Sequence, residues 1–523
     1  MSKQRRSASI LRRLAVASVF AVSAISAGAA LAQVAGGKVV VAQTSNPPSL
    51  DAMATSSAQS RNVTMNVYET LYGFDENVVP IPILAEGVDI SADGLTYTFK
   101  LRQGVKFHNG DEMKASDVLA SMERYRKVGA TGNLLKAVES FEVTGDYEIV
   151  FHMVSKTPTF LESFSSPRAP AVIIPEEDAN AEAGKTSLVG TGPYKIVEYV
   201  PDVHVVLEKF ADYTQDTRHE GPDGFGGKKT AYFDQVEFRI MPEPGAQVAA
   251  LEAGEVDILD AMPVAAARRL ANDPNIKLYE GTNWAFATLI LNTNEAPTDN
   301  VKFREAVQVA LNMEEIVGIA TEGLFTLNGG WAYPDTPYDV GDIGAKDYYN
   351  KHDVERAKAL LKEAGYNNEP FSILTDPASA VHSKSAVVIA EQLKAVGINA
   401  VINQVDWPTA LKIRMEDTGW QGWTLSMGIE PYLGPAAIVA TLAGTRPHFV
   451  KPDPVLEDLY LELIAGETTE ARKATFAKIQ QQLYTNFGII KLGDTRNMQA
   501  SRANIEGFKA FRFPRVYDIW RAK

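Results

Sequence analysis

The chain has 523 residues, with 51 Lys plus Arg against 65 Asp plus Glu, a formal net charge of −14. That acidic balance argues against nucleic acid and anionic lipid as partners, since both repel it. Cysteine is absent, which excludes disulfides, thiolate catalysis and cysteine-based metal centres together.

The first residues read as an address. Lys3, Arg5, Arg6, Arg12 and Arg13 form a basic stretch, residues 14–30 are apolar and small, and Ala30-Leu31-Ala32 fits an A-x-A cleavage site. The apolar run is short for a bilayer span, which needs about 20 residues. A signal peptide over 1–32 is expected, removed to leave a soluble chain that starts at Gln33 and resides in a periplasm. The general secretory and twin-arginine routes both stay open. No cysteine is present to carry a lipid anchor. The remaining length suggests two or three domains.

Lys38–Gln43 (KVVVAQ) reads as a buried strand, and the loop after it contains Pro47-Pro48, which fixes its path. Residues 95–101 (LTYTFKL) alternate as a half-buried strand does, after a turn at Asp93-Gly94. Ser116 is placed to cap a helix whose inner face is Val118, Leu119, Met122 and Tyr125. Residues 147–154 form another alternating strand. Gly190-Thr191-Gly192-Pro193-Tyr194 breaks the chain before strands at 195–199 and 204–209. The glycine-rich stretch 221–230 (GPDGFGGKKT) falls short of a phosphate loop. Pro222 replaces the first glycine and Lys229 the hydroxyl that would hold magnesium, so a surface loop is expected. Farther on, Asp353 caps a helix that Gly365 ends, 371–375 is a strand, 383–396 a helix closed by Gly397, and 398–405 a strand. That order predicts a right-handed crossover and parallel pairing, with Asp376 and Asp406-Trp407 at the strand ends where ligands sit.

Residues 84–125 (LAEGVDISADGLTYTFKLRQGVKFHNGDEMKASDVLASMERY) are the most telling stretch. They resemble the extracytoplasmic solute-binding proteins of peptide-type ABC importers, the family of dipeptide-, oligopeptide- and nickel-binding proteins. VGTGPYKIVEY (189–199), ALEAGEVDIL (250–259) and LILNTNEAPTDNVKFREAVQVAL (289–311) look like further family blocks in the family's order. The resemblance implies an α/β fold with mixed sheets, a two-lobed periplasmic binding protein of the large type II class with an extra inserted domain and hinge closure. It implies lobe I from 33–65, 186–284 and 494–523, an inserted domain at 66–185, and lobe II at 285–493. By analogy the crossings between lobes lie near residues 284–292 and 489–494.

The implied function is ligand capture for an importer, with a peptide or similarly sized polar solute as cargo and the permease subunits of the inner membrane as partners. Opines, sugar conjugates, aromatic compounds and nickel chelates stay open as cargo, and a chemosensory role stays open beside import. An exported hydrolase is a third class, but G-x-S-x-G and H-E-x-x-H are both missing from the sequence. The seven histidines show no metal-ligand spacing. No catalytic residue, metal, cofactor or nucleic acid is therefore expected, and the chain is expected to be a monomer.

For the ligand, three of the six tryptophans, Trp407, Trp420 and Trp423, cluster ahead of Met427, Gly428, Glu430 and Tyr432. Each tryptophan supplies either a ligand wall or core packing. Peptide-binding relatives carry an aspartate in this region that pairs with the ligand's ammonium. Here SMGIEPYLGP (426–435) matches at Met427 and Gly428. It has Gly434-Pro435 where Asp-Pro would stand, leaving Glu430 as the nearest carboxylate. Thr44, Ser45 and Asn46 lie in a loop that lines the cleft in relatives, and also suit a capped turn. Trp284 and Phe286 belong to the presumed crossing strand. Arg446 is either a bidentate anion contact or a solubilising charge.

Overall fold

The computed structural model describes residues 33–428, 439 and 451–523, apart from 378 and 512. The expected signal peptide, Glu430, Tyr432 and Arg446 lie outside the described residues.

Strand β1 (Lys38–Gln43) is buried along nearly its whole length. Its apolar run fits a strand covered on both faces by packed elements. Helix α1 (Ala58–Thr64) follows. Next come β2 (Ala85–Ile90), β3 (Thr96–Leu101), α2 (Ala115–Val128), β4 (Val138–Gly145) and β5 (Glu148–Met153). These strands form an antiparallel sheet in the order β2-β3-β5-β4. The short helix α3 (Phe160–Phe164) packs its two phenylalanines near Tyr97, Phe99 and Phe151. Ser116 does not cap α2. The cap position falls two residues earlier, at Lys114, whose backbone N–H donates to the Asp117 carboxylate at 2.8 Å. An acid inside the first turn serves the end just as a preceding hydroxyl would.

Strands β6 (Tyr194–Val200) and β7 (His204–Lys209) pair antiparallel. The glycine-rich stretch is not a surface loop. It forms a hairpin, β8 (Pro222–Asp223) and β9 (Gly226–Gly227), with Phe225 and Lys229 buried. Gly224 has φ +57°, and a Cβ there would stand 2.1 Å from the Phe74 carbonyl oxygen. Glycine is needed here for close approach to another backbone segment, a role that composition alone does not reveal. Lys229 is held by Glu69 at 2.9 Å, both side chains buried.

Strand β10 (Gln235–Ile240), helix α4 (Pro244–Ala253) and strand β11 (Ile258–Leu259) complete the first lobe's sequence before the long strand β12 (Ile276–Leu291). Beyond it lie β13 (Phe325–Thr326), α5 (Val354–Glu363), β14 (Pro370–Thr375), α6 (Ala380–Ala395), β15 (Asn399–Gln404), α7 (Trp407–Ile413) and β16 (Gly422–Met427). Asp353 caps α5 as expected, accepting from the Arg356 N–H at 2.9 Å. Helix α6 starts before the expected residue because Ser379 caps it. Strands β14 and β15 pair in parallel, as the crossover requires, and β16 joins β14 in parallel. Helix α8 (Thr469–Asn486) leads into the second long strand, β17 (Ile489–Arg502).

One sheet runs through the molecule in the order β15-β14-β16-β12-β17-β11-β1-β10-β7-β6, with β13 added to β17. Its centre is the antiparallel pair β12 and β17, whose register shifts between Glu280 and Asn283, between Asn283 and Ala285, and between Ala287 and Thr288. Apolar packing divides on either side of this pair. One side centres on residues such as Val39, Phe99, Phe151 and Phe238, the other on Leu289, Phe303, Ile373 and Ile389. Separate apolar clusters on the two sides, bridged by two strands, are the arrangement that permits hinge bending.

Candidate functional site

Two cavities flank the central strand pair. The larger, about 600 Å³, is walled by Phe74 and Phe225 from one lobe and Tyr333 and Thr336 from the other, with Asn283 and Arg496 from the bridging strands. Its volume is in the range of small-molecule sites. Arg496 forms an ion pair with Glu280 at 2.6 Å and donates to the Phe325 carbonyl at 3.0 Å. Its buried Nε has no hydrogen-bond partner among the described residues. Thr326 donates to Asn283 Oδ1 at 3.1 Å. The wall therefore joins aromatic faces to fixed polar groups, which is how such sites combine burial with orientation.

The smaller cavity, about 290 Å³, lies at the carboxyl ends of β1 and β11 and is lined by Gln43, Thr44, Asn62, Asp260 and Asn497. These two strands are parallel, and the crevice beyond parallel strand ends is a recurrent ligand position.

The second lobe presents its own parallel strand ends. There His382 Nδ1 meets Asp376 at 2.5 Å, and His382 Nε2 accepts the Ser426 backbone N–H at 2.8 Å. The second bond assigns Nε2 as acceptor and leaves Nδ1–H to donate to Asp376. Trp407 sits at the first turn of α7, ring centroids 6.2 Å from His382 and 6.1 Å from Trp423. Asp406 caps that helix by accepting the Thr409 N–H at 3.1 Å, so it is engaged by its own helix.

The tryptophans separate into two kinds. Trp407 is 38% exposed, whereas Trp420 and Trp423 are fully buried. The Trp420 indole N–H donates to the Glu416 carbonyl at 3.1 Å, and Trp423 lies under the Arg414 guanidinium. Neither presents a face to a ligand in this conformation; both are core residues. Phe286 is likewise buried, packed edge-on against Trp331 and Tyr333 with Lys491 Nζ 3.9 Å above it. Trp284 belongs to β12 by its backbone. Met427 is buried opposite Phe286 in the β12–β16 register, and Gly428 is exposed.

In the first loop, Thr44 and Ser45 are exposed. Asn46 bonds to Asp202 through both ends of its amide, accepting the Asp202 backbone N–H at 2.8 Å and donating to its carboxylate. Its amide therefore fastens the loop to the turn between β6 and β7. Sequence reasoning missed Gln43, Asn62, Phe225, Tyr333 and Arg496. The only local signal was the glycine-rich stretch that delivers Phe225; the others converge through tertiary structure. Among the described residues no cluster of His, Asp or Glu is arranged to hold a metal. No described helix is long and apolar enough to cross a membrane.

Two lobes bridged by paired strands, with a cavity walled from both, define a two-lobed solute-binding protein. Residues 79–447 match the model of the middle region of the bacterial extracellular solute-binding proteins, family 5, and the chain belongs to that family. A probable peptide ABC transporter periplasmic-binding protein of Sinorhizobium fredii is 28% identical over 512 residues, 94% of each chain. The glutathione-binding protein of Salmonella typhi is 31% identical over 388 residues, 72% of this chain and 71% of its own. Among solved structures, the periplasmic binding protein DppA of Helicobacter pylori, in complex with the peptide STSA, is similar with a TM-score of 0.72. It is 26% identical, over 94% of this chain and 99% of its own. CtaP of Listeria monocytogenes, an ABC transporter substrate-binding protein, has a TM-score of 0.80 at 20% identity, over 94% and 100% of the two chains, a likeness of fold.

Proposed function

We propose that the protein is the periplasmic substrate-binding component of an ABC importer, and that its cargo is a peptide or a polar organic solute of similar size. One observation carries the reading: residues of both lobes wall a single cavity of about 600 Å³ in a member of this family. The named relatives add support, being a probable peptide-transporter component, a glutathione-binding protein and a peptide complex.

The mechanism is population shift. A ligand that touches both walls stabilises the closed arrangement by its differential affinity, and a permease in the inner membrane reads that shape. Lobe I comprises 33–65, 186–284 and 494–523, the inserted domain 66–185, and lobe II 285–493. The protein works as a monomer, is exported by a cleaved signal peptide and makes or breaks no bond. Trp407, Thr44 and Ser45 offer exposed contact groups at the two sets of strand ends.

Native mass spectrometry of protein purified from its own periplasm tests the reading. A bound mass that fragments as a peptide supports it. An opine, sugar conjugate or metal chelate replaces the peptide assignment, and turnover of that cargo by the pure protein overturns the carrier role.

A further inference from the structure

Gln43 and Asn62 are buried to 3% and 4% exposure, and each has a side-chain carbonyl oxygen without a hydrogen-bond partner among the described residues. Both residues line the 290 Å³ cavity at the ends of β1 and β11. Neither amide can be reversed without loss. Gln43 Nε2 donates to the Ser45 carbonyl at 3.0 Å, and Asn62 Nδ2 donates to Asp260 at 3.1 Å. Their NH₂ ends are thus assigned to the protein, and their oxygens are left for something else. Asp260 also accepts from Gln499 Nε2 at 2.7 Å, which fixes the carboxylate beside Asn62.

Unpaired buried acceptors are costly and are rare in folded proteins. Two of them on one cavity, with the Asp260 carboxylate alongside, complement a compact group that carries several N–H donors and a positive charge. We infer that this cavity is a subsite for the primary ammonium group of the ligand, held by neutral carbonyls of the first lobe. The inference deepens the solute-binding reading and rests on it for the identity of the whole ligand, but the subsite's chemistry stands on the Gln43 and Asn62 oxygens. A primary ammonium has three N–H donors, enough to serve both Gln43 and Asn62. An alcohol of the same size offers one donor and no charge.

Side-chain amide NMR of the full-length mature protein, labelled with ¹⁵N at Gln and Asn, reads the subsite directly. The probes are n-propylammonium, n-propanol, trialanine and N-acetyl-trialanine. The amide resonances of Gln43 and Asn62 are expected to shift with propylammonium and not with propanol. Trialanine is expected to bind about tenfold more tightly than its acetylated form, the scale of a charged hydrogen bond lost. Gln43→Met, which removes one acceptor and keeps the shape, is expected to reduce that preference. If propylammonium leaves both amides unmoved, or propanol moves them equally, the subsite is overturned. Amides that respond to the amine in a protein that binds neither peptide uphold the subsite and refute the peptide reading. Peptides that bind regardless of acetylation, with both amides unmoved, uphold the peptide reading and refute the subsite. The wild-type titration decides the matter even if Gln43→Met fails to fold.

Discussion

Glu162 on α3 and Arg472 on α8 meet at 2.5 Å, one from each side of the bridging strands, with the arginine side chain 5% exposed and the glutamate 21%. Tyr338 closes a triangle, donating its hydroxyl to Glu162 at 3.1 Å and accepting from Arg472 Nε at 2.9 Å. Burial and the Glu162 charge push the Tyr338 hydroxyl up to about 12, so it remains a donor at neutral pH. Nearby, Lys156 and Glu467 also join the two sides, but both are well exposed.

The first prediction contrasts these two links. Glu162→Gln weakens a largely buried charged contact and is expected to shift the protein toward an open form, lowering apparent ligand affinity about three- to tenfold. Lys156→Gln removes an exposed pair, worth about 0–1 kcal/mol, and is expected to leave affinity within twofold. Isothermal titration of both variants checks the pair; equal losses would remove the special role of Glu162.

The second concerns the tryptophans. Trp423→Ala empties a fully buried site and is expected to destabilise the fold by about 3–5 kcal/mol in denaturant unfolding. Trp407→Ala removes a partly exposed ring and is expected to weaken ligand binding with less than about 1.5 kcal/mol lost from stability. The reverse pattern would place the ligand wall at Trp423.

The third is a pH dependence. His108 accepts the Gly190 N–H on Nδ1 at 3.2 Å and faces the Gly192 carbonyl through Nε2 at 3.0 Å, so the ring fits there neutral. Burial lowers its pKa from 6.5 to about 4. The folded state therefore binds fewer protons than the unfolded one between these values. Its contribution is complete above about 6.5 and is lost as pH falls toward 4. Relative to His108→Gln, the wild-type protein is expected to lose about 2–3 kcal/mol across that window. Parallel curves for the two proteins would contradict the assignment.

The fourth separates two glycines. Gly104 has φ +70° with nothing within 4 Å of where a Cβ would stand, whereas Gly224 combines φ +57° with a carbonyl 2.1 Å away. Gly104→Ala is expected to cost about 1 kcal/mol, the conformational strain alone. Gly224→Ala is expected to cost more than about 2 kcal/mol and to disturb Phe225 in the cavity wall. Thermal unfolding of both checks the order.

Much of this fold was legible in the sequence. The alternation at 95–101, the Asp353 cap and the strand-helix-strand spacing after it reflect local rules that act within one or two turns. The glycine-rich hairpin was misread because its burial depends on Phe74, far away in sequence. The same limit applies to the site. The cluster Trp407, Trp420 and Trp423 was visible, but which ring faces outward is set by the assembled fold, where Trp423 lies buried beside the Trp407 ring, rather than by spacing. Gln43 and Asn62 gave no sign, because a carbonyl left unpaired is a property of the assembled neighbourhood.

Small-angle X-ray scattering of the mature protein, with and without saturating cargo identified by mass spectrometry, tests ligand-driven closure most directly. A smaller radius of gyration on binding, and a larger one for unliganded Glu162→Gln than for unliganded wild type, is the predicted result. Superimposable scattering from all three samples would contradict it.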